Sequence, residues 1–480
     1  MLDIIRRSCF GHKKQVISTI SKYLSYLATF TQMPDRSDSI GRGKARQTEG
    51  RGGYLHHGGR GRGSSTKVPE GSDQQRTENS RLGNASEGRR RKLRDLDEDL
   101  NLTPLCTIPR PEIHGDSGQG NLEIENLVCI GSYSWMDGDI PTILVPGAPR
   151  VWTNKTLPYH VEHDSWGFID QNACRFPLYP LLPLFKAVEV GEGELGEKEK
   201  VDWAEVDFVT DRNNLRKLLR WVSGKARGKQ DFRIDTQLAG KRTVLFTRFE
   251  QRVIAMRGGS GFGSNFEKVS TKPVPGCERT TGYHRIVKYN IDGLVLVVRF
   301  EVDACLEDDK VPNLEPNQPE VDALSGSMAG LAVSESPPFP PEIPPNDLNI
   351  IRAGTAVSQK SIIELSTRSK SGIEWEEVYP QLFLSQTPHF FMATHKDGEF
   401  HTLRKERMES SQMMQMQEKH DTKFRMLASA LRSIQNLVVD HGKNGRLSLL
   451  LRERELKVYE RESKGGCLPD DFMACFEDKA

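Results

Sequence analysis

No run in the 480 residues approaches the roughly 18 consecutive apolar side chains of a membrane-spanning helix, so no membrane partner is expected. The eight cysteines, Cys9, Cys106, Cys129, Cys174, Cys277, Cys305, Cys467 and Cys475, stand apart, with no CxxC and no Cys/His pair at zinc spacing. That pattern excludes a disulfide framework and a structural zinc site and fits a soluble protein of a reducing compartment. His160 and His163 are three apart, with no third ligand near them in the chain. A GxxxxGK[ST] phosphate loop is absent, and Gly258-Gly259-Ser260-Gly261-Phe262-Gly263 lacks the spacing of a dinucleotide fingerprint. Apolar residues are scarce, 36% against 28% charged, so part of the chain stays outside any core. The net charge of +1 conceals a basic stretch over 36–95 and acidic patches at Glu189–Glu199 and Glu301–Glu320.

What is present divides the chain into unequal parts. Residues 1–32 carry Arg6, Arg7, Lys13, Lys14 and Lys22 with apolar residues at Ile17, Ile20, Leu24 and Leu27. They read as a mitochondrial presequence or as an extension ahead of a start at Met33. Residues 33–100 are rich in Gly, Arg, Ser and Gln and are expected to be disordered, because they cannot offset their ordering entropy by apolar burial. Gly50-Arg51-Gly52-Gly53-Tyr54 and Gly58-Gly59-Arg60-Gly61-Arg62-Gly63 make this a basic RGG-like tail, which either binds RNA weakly or only solubilises. A folded domain is expected over 101–465, with order beginning near Leu122, a flexible Pro-rich insertion at 306–350 and a tail at 466–480. Within it, Phe232–Phe249 reads as a hairpin turning at Gly240, and Val206–Trp221 as a strand followed by a helix. Phe424, Leu427, Leu431, Ile434 and Val438 mark an amphipathic helix. The fold class is mixed α/β, with central mixed sheets flanked by helices.

Leu294–Val302 is the clearest strand, apolar on both sides at its start and therefore central. It ends in Glu301-Val302-Asp303, and alternation puts both acids on one face. Ile362-Ile363-Glu364-Leu365-Ser366 repeats the arrangement, an acid at the polar end of an apolar run. Acids so placed are costly unless they bind cations or are otherwise paired, which points to a divalent-metal hydrolase site. Glu267, at the end of Gly261-Phe262-Gly263-Ser264-Asn265-Phe266-Glu267, is a fourth acid, in a segment whose glycines permit close approach of backbone to a ligand. The plain alternative is that the acids are solvated strand ends or ion-pair partners. Trp152, Trp166, Trp203 and Trp221 are read as packing residues before base-stacking ones.

Five ordered pieces resemble the DXO-type decapping exoribonuclease and pyrophosphohydrolase family. They are Val206–Leu219 with Arg212, Gly261–Glu267, Glu301-Val302-Asp303, Glu364-Leu365-Ser366-Thr367, and the run Pro380–Gly398 with Gln381. The resemblance covers about residues 122–460 and extends to fungal relatives of that family. It implies a decapping-nuclease-like fold, Mg²⁺ or Mn²⁺ as cofactor, and hydrolysis at RNA 5′ ends by decapping, pyrophosphohydrolase or 5′-3′ exonuclease action. Position by position, it implies Glu267, Glu301, Asp303 and Glu364 as catalytic metal ligands, Arg212 on the RNA 5′ phosphate and Gln381 lining the substrate channel. An exonuclease partner is compatible with it, as is a nuclear or cytoplasmic location. The location would be mitochondrial if residues 1–32 are a presequence. Some such relatives are labelled geranylgeranyl pyrophosphate synthetase. No prenyl substrate is expected here, because neither Asp308-Asp309 nor Asp470-Asp471 extends to a DDxxD motif. Three departures stand out: Ser366 replaces a lysine of the pattern, the Gly-rich piece carries two extra residues, and Asp211 replaces an aromatic residue before Arg212. Lys360, Arg368 or Lys370 could stand in for the missing charge. The alternative function is a catalytically degenerate RNA-binding or scaffold protein of the same fold.

Overall fold

The computed structural model describes residues 93–112, 120–165, 167–191, 201–224, 231–255, 261–307, 347–370, 372–443, 445–463 and 465–477. Residues 1–92, most of the insertion (308–346) and Trp166 lie outside the described residues, and so do the expectations that fall on them. The strands are β1 (Cys106–Ile108), β2 (Ile124–Met136), β3 (Thr142–Gly147), β4 (Val151–Trp152), β5 (Tyr159–His160), β6 (Gly167–Phe168), β7 (Phe208–Asp211), β8 (Phe232–Ala239), β9 (Thr243–Phe249) and β10 (Ile254–Ala255). They continue with β11 (Thr271–Lys272), β12 (Thr280–Ile291), β13 (Leu294–Val302), β14 (Ala304–Cys305), β15 (Asn349–Gly354), β16 (Ile362–Arg368), β17 (His389–Lys396), β18 (Glu399–Arg407), β19 (Leu447–Arg452) and β20 (Glu455–Glu460). The helices are α1 (Gln171–Arg175), α2 (Leu182–Gly191), α3 (Arg212–Val222), α4 (Gly263–Ser270), α5 (Trp375–Ser385), α6 (Ser411–His441) and α7 (Asp470–Met473).

Two large sheets and the two-stranded β10-β6 pair form a mixed α/β fold, as expected. The larger runs β1-β20-β19-β8-β9-β7-β13-β12-β2-β3-β15, and the smaller β11-β4-β14-β16-β17-β18-β5. β13 is central in the larger sheet because both of its faces are apolar. Leu294, Leu296, Val298, Phe300 and Val302 pack into one core with Leu215 and Leu218 of α3 and Phe424 and Leu431 of α6. Val297, on the opposite face, joins a second core with Ile143, Val145 and Leu184 of α2. Alternating side chains thus serve two layers at once. The β8–β9 hairpin turns at Gly240, whose φ of +58° suits glycine, and a Cβ there would strike the Phe476 backbone. The buried tryptophans Trp152 and Trp221 are packing residues, and Trp203 packs partly buried against the second core.

The structure moves several boundaries. Order begins well before Leu122. β1 pairs with β20, and Leu96 and Leu100, inside the stretch expected to be disordered, are buried with Phe249 and Leu450. The supposed tail from 466 contributes Cys467, Leu468 and Phe476 to the second core. The insertion is narrower than 306–350. The Leu306 amide donates to the Ser361 carbonyl at 2.8 Å, Leu348 is buried, and β15 lies parallel to β3 in the register Asn349↔Thr142. Gly263 onward is helix, its first turn held by Asp164, which accepts from the Ser264 and Asn265 amides at 3.2 and 2.9 Å.

Asp211, which ends β7, finds its partner on β13. Arg299 is its register neighbour, and the guanidinium donates to both carboxylate oxygens at 2.6 and 3.0 Å. The same guanidinium reaches the Tyr133 hydroxyl at 3.2 Å and the Pro180 carbonyl at 2.8 Å. The pair is buried, with Arg299 1% exposed, so its two charges must be satisfied by each other. Arg299→Met should therefore cost about 3–5 kcal/mol in urea unfolding, and Asp211→Leu added to it should restore much of that loss. Equal stability of the single variant and the native protein would contradict the assignment.

Candidate functional site

The chain leaves β13 at Val302, passes Asp303 and enters β14, which belongs to the smaller sheet. β14 pairs antiparallel with β16 in the register Ala304↔Ile363. Glu301 and Glu364 are therefore not on adjacent strands of one sheet, as alternation alone suggested. They face each other across the seam between two sheets, with Asp303 at the crossing. The Leu365 amide donates to Asp303 Oδ2 at 2.7 Å, which fixes that carboxylate against β16. Glu364 Oε2 accepts from Arg212 Nη1 at 3.1 Å, and its other oxygen accepts from the Gln381 side-chain amide. Arg212, the first residue of α3, also donates to Ser385 Oγ at 3.1 Å and lies 5.5 Å from the centre of the Phe300 ring. Glu301 opens to solvent at the bottom of this arrangement while protein surrounds the rest of it. Gly282 of β12 leaves room for it. A Cβ at that position would come within 2.8 Å of Glu301 Oε1 and 2.5 Å of Gln171 Oε1.

The four expected acids act on one another. Burial first, then the Glu364 charge, pushes Glu301 up to about 7, although Arg212 and Arg248 pull it down. Burial, Glu364 and Glu267 together hold Asp303 well above the usual carboxylate range. Glu301, Asp303 and Glu364 thus lie within reach of one another's charge, and Glu267, on helix α4, within reach of Asp303. The arrangement is not a ready-made metal cage. Among the described residues, no three His, Cys, Asp or Glu side chains are placed to hold one ion. Charge fits a divalent cation, while Glu364 is engaged by Arg212 and Gln381. Those two residues were expected on the substrate and here bind a carboxylate. Of the cations considered as substitutes for the missing lysine, Arg368 pairs with Glu374 at 2.8 Å. Lys360 precedes β16, and its carbonyl contacts His389 at 2.9 Å. The positive charge beside Glu364 is Arg212.

Sequence reasoning missed the polar layer beneath Glu301. His284 is its cross-strand neighbour, buried and stacked on Tyr133 at 5.0 Å between ring centres, with Nε2 3.3 Å from the Asn172 amide. Asn172 also accepts from Trp135 Nε1 at 2.9 Å. Beyond lie Asp170, 3.5 Å from Arg248, and Glu250, which binds both Arg248 at 3.1 Å and Lys217 at 2.8 Å. The signal was present as His284 and Arg299 at inward positions of apolar strands, where a polar residue needs a buried partner.

Two pH effects follow, of opposite sign. Burial pushes His284 down to about 3 from the ordinary 6.5, so its contribution is fully present above pH 6.5 and is lost as pH falls. At pH 5 the loss is about 2 kcal/mol, and His284→Gln should flatten the stability profile between pH 5 and 7. The raised Glu301 works the other way: its contribution is present below about pH 4.5 and is lost as pH rises through 7. Without added metal, Glu301→Gln should raise the melting temperature at pH 8 and leave it nearly unchanged at pH 5. A fall at pH 8 would show the carboxylate to be a favourable partner instead.

No curated protein matches the chain. Solved structures similar to it include S. pombe Rai1, 15% identical, covering 73% of this chain and 96% of that one at a TM-score of 0.43. Candida albicans Rai1 in complex with pU5 and Mn²⁺ is 12% identical over 77% of this chain and 99% of that one, at 0.45. K. lactis Dxo1 in complex with manganese is 11% identical over 70% and 98%, at 0.35. These are proteins of the kind the motifs resemble, and at such scores the likeness decides nothing about activity. A family model matches residues 122–476, most of the sequence, and the chain accordingly belongs to the family described as Domain of unknown function (DUF8563).

Proposed function

We propose that the chain hydrolyses RNA 5′ ends with the help of a divalent cation, Mg²⁺ or Mn²⁺. The observation that carries this reading is the accumulation of acids at the seam. Glu301, open to solvent, and Asp303, half-buried, each lie within reach of the Glu364 charge, and Asp303 also of Glu267. Such a cluster opposes folding, and a bound cation would relieve it. Glu301, Asp303, Glu364 and Glu267 are the groups that would hold it. When bound, the ion supplies a hydroxide-like nucleophile and neutralises charge on a phosphoryl oxygen.

The chain's own residues would do the rest. Asp303, fixed by the Leu365 amide, keeps its position without substrate. Arg212 sits at the start of α3 and reaches Glu364 through a single nitrogen at 3.1 Å, so the guanidinium keeps donors for a 5′ phosphate. Gln381 would follow Glu364 or turn to the nucleotide. The ordered motifs Arg212, Glu267, Glu301-Val302-Asp303, Glu364 and Gln381 support an RNA 5′ end as the substrate. Two observations favour a second reading, a degenerate RNA-binding or scaffold protein: Ser366 stands where the motif carries a lysine, and both oxygens of Glu364 are engaged.

The test is incubation of the full chain with Mn²⁺ and RNAs bearing a 5′ triphosphate, a 5′ monophosphate or an unmethylated cap, with Glu301→Ala/Asp303→Ala as control. Release of nucleotide or cap products that is abolished in the control is the expected outcome. RNA retention without cleavage, in both proteins, would establish the degenerate reading. Cleavage unaffected by the double substitution would sink the assignment of the site.

A further inference from the structure

The helical layer carries a second charged cluster that the carboxylate site does not use. Arg212, Arg216 and Arg220 follow one another at four-residue steps, which lines them along one face of α3 over about 12 Å. Arg212 binds Glu364, whereas Arg216 and Arg220 border a cleft between α3, α5 and α6. There Arg220 donates to Glu377 Oε2 through Nε and Nη2 at 3.1 and 2.8 Å. Lys423 reaches Glu376 at 2.9 Å, Lys419 reaches it at 2.5 Å, and Nε2 of the buried His420 lies 3.3 Å from it.

Arg216 differs from its neighbours. Its side chain is 21% exposed, and its ion pair with Glu377 is a long one, 3.9 Å, on a carboxylate that Arg220 already grips. Burial, then the charges of Arg212 and Arg220, push it down to about 10, and the two carboxylates that act on it, Glu364 and Glu377, are already held by Arg212 and Arg220. Four cations, Arg216, Arg220, Lys419 and Lys423, meet two carboxylates, Glu376 and Glu377, which leaves an excess of two positive charges before His420 is considered. A mostly buried guanidinium with a weak partner is costly, and a planar fork beside a second guanidinium and a lysine matches the oxygens of a phosphate.

We infer that the cleft between α3, α5 and α6 is an anion site that takes a phosphate group, with Arg216 as its fork and Arg220 and Lys423 as neighbouring charges. It adjoins the carboxylate site, since Arg216 also feels the charges of Arg212 and Glu364. The phosphate comes either from an inner position of a nucleic-acid strand whose end is at the carboxylates, a source that rests on the function proposed above, or from a free phosphate compound.

Thermal unfolding of the full chain in EDTA, at constant ionic strength, with and without inorganic pyrophosphate, tests the site independently of catalysis. Arg216→Gln is the variant of choice, since it removes a strained charge and leaves the Arg220–Glu377 pair intact. A rise of at least about 2 °C in the native protein and in Asp303→Asn, absent in Arg216→Gln, is the expected result. No rise in the native protein, or an equal rise in Arg216→Gln, would overturn the inference. A labelled 5′-hydroxyl oligoribonucleotide then separates the sources. Displacement by pyrophosphate, lost in Arg216→Gln, identifies the strand, and independent binding of the two identifies a free phosphate compound. Because neither arm needs cleavage, an inactive carboxylate site would leave the result readable.

Discussion

The hydrogen bond from the Leu365 amide to Asp303 Oδ2 spans the seam between the two sheets at the point where the chain passes from one to the other. Asp303 cannot lie deep in either sheet. It occupies the single residue between β13 and β14, and its carboxylate is held by the strand that β14 pairs with. Glu301 sits two residues before it on the central strand, and Glu364 one residue before its amide partner. A seam of this kind brings acids from distant parts of the chain to one place, where the bonds that define each sheet also define the spacing of the charges.

Concentrated carboxylates then require cations, and the fold supplies them from its helical side. Arg212 enters at the start of α3, directly after a strand parallel to β13, and meets Glu364. Arg248 and the buried Arg299–Asp211 pair lie beneath Glu301. These charges lower the cost of the cluster without cancelling it, since Glu301 and Asp303 stay above their ordinary range. A protein selected only for stability would replace one of these acids with its amide. Their accumulation in one place is the physical ground for reading the seam as a site.

Much of this was legible because the signals are local. Period-two alternation gave β13 and its two faces, Gly240 gave the hairpin, and the spacing of Phe424, Leu427, Leu431 and Ile434 gave α6. The candidate acids were visible as charges at the ends of apolar strands. Alternation reports which face a residue occupies and is silent on which sheet its strand joins, so Glu301 and Glu364 were placed on neighbouring strands when they belong to different sheets. Glu267 was read only as the end of a glycine-bearing segment because the helix that carries it starts on a cap that Asp164, about a hundred residues earlier, supplies. Leu96, Leu100 and Phe476 lie in polar stretches whose few apolar residues find their partners far along the chain. The layer of His284, Asn172, Asp170 and Arg248 comes from four separate segments, and no local pattern assembles it.

The most direct test of the central claim is a crystal structure of the protein soaked in Mn²⁺ at pH 8, with the ion located by its anomalous scattering. The account predicts an anomalous peak among Glu301, Asp303, Glu364 and Glu267, with Glu364 Oε2 turned away from Arg212. A map without a peak there, with the Arg212–Glu364 pair unchanged, would contradict it and leave the acids as a structural seam.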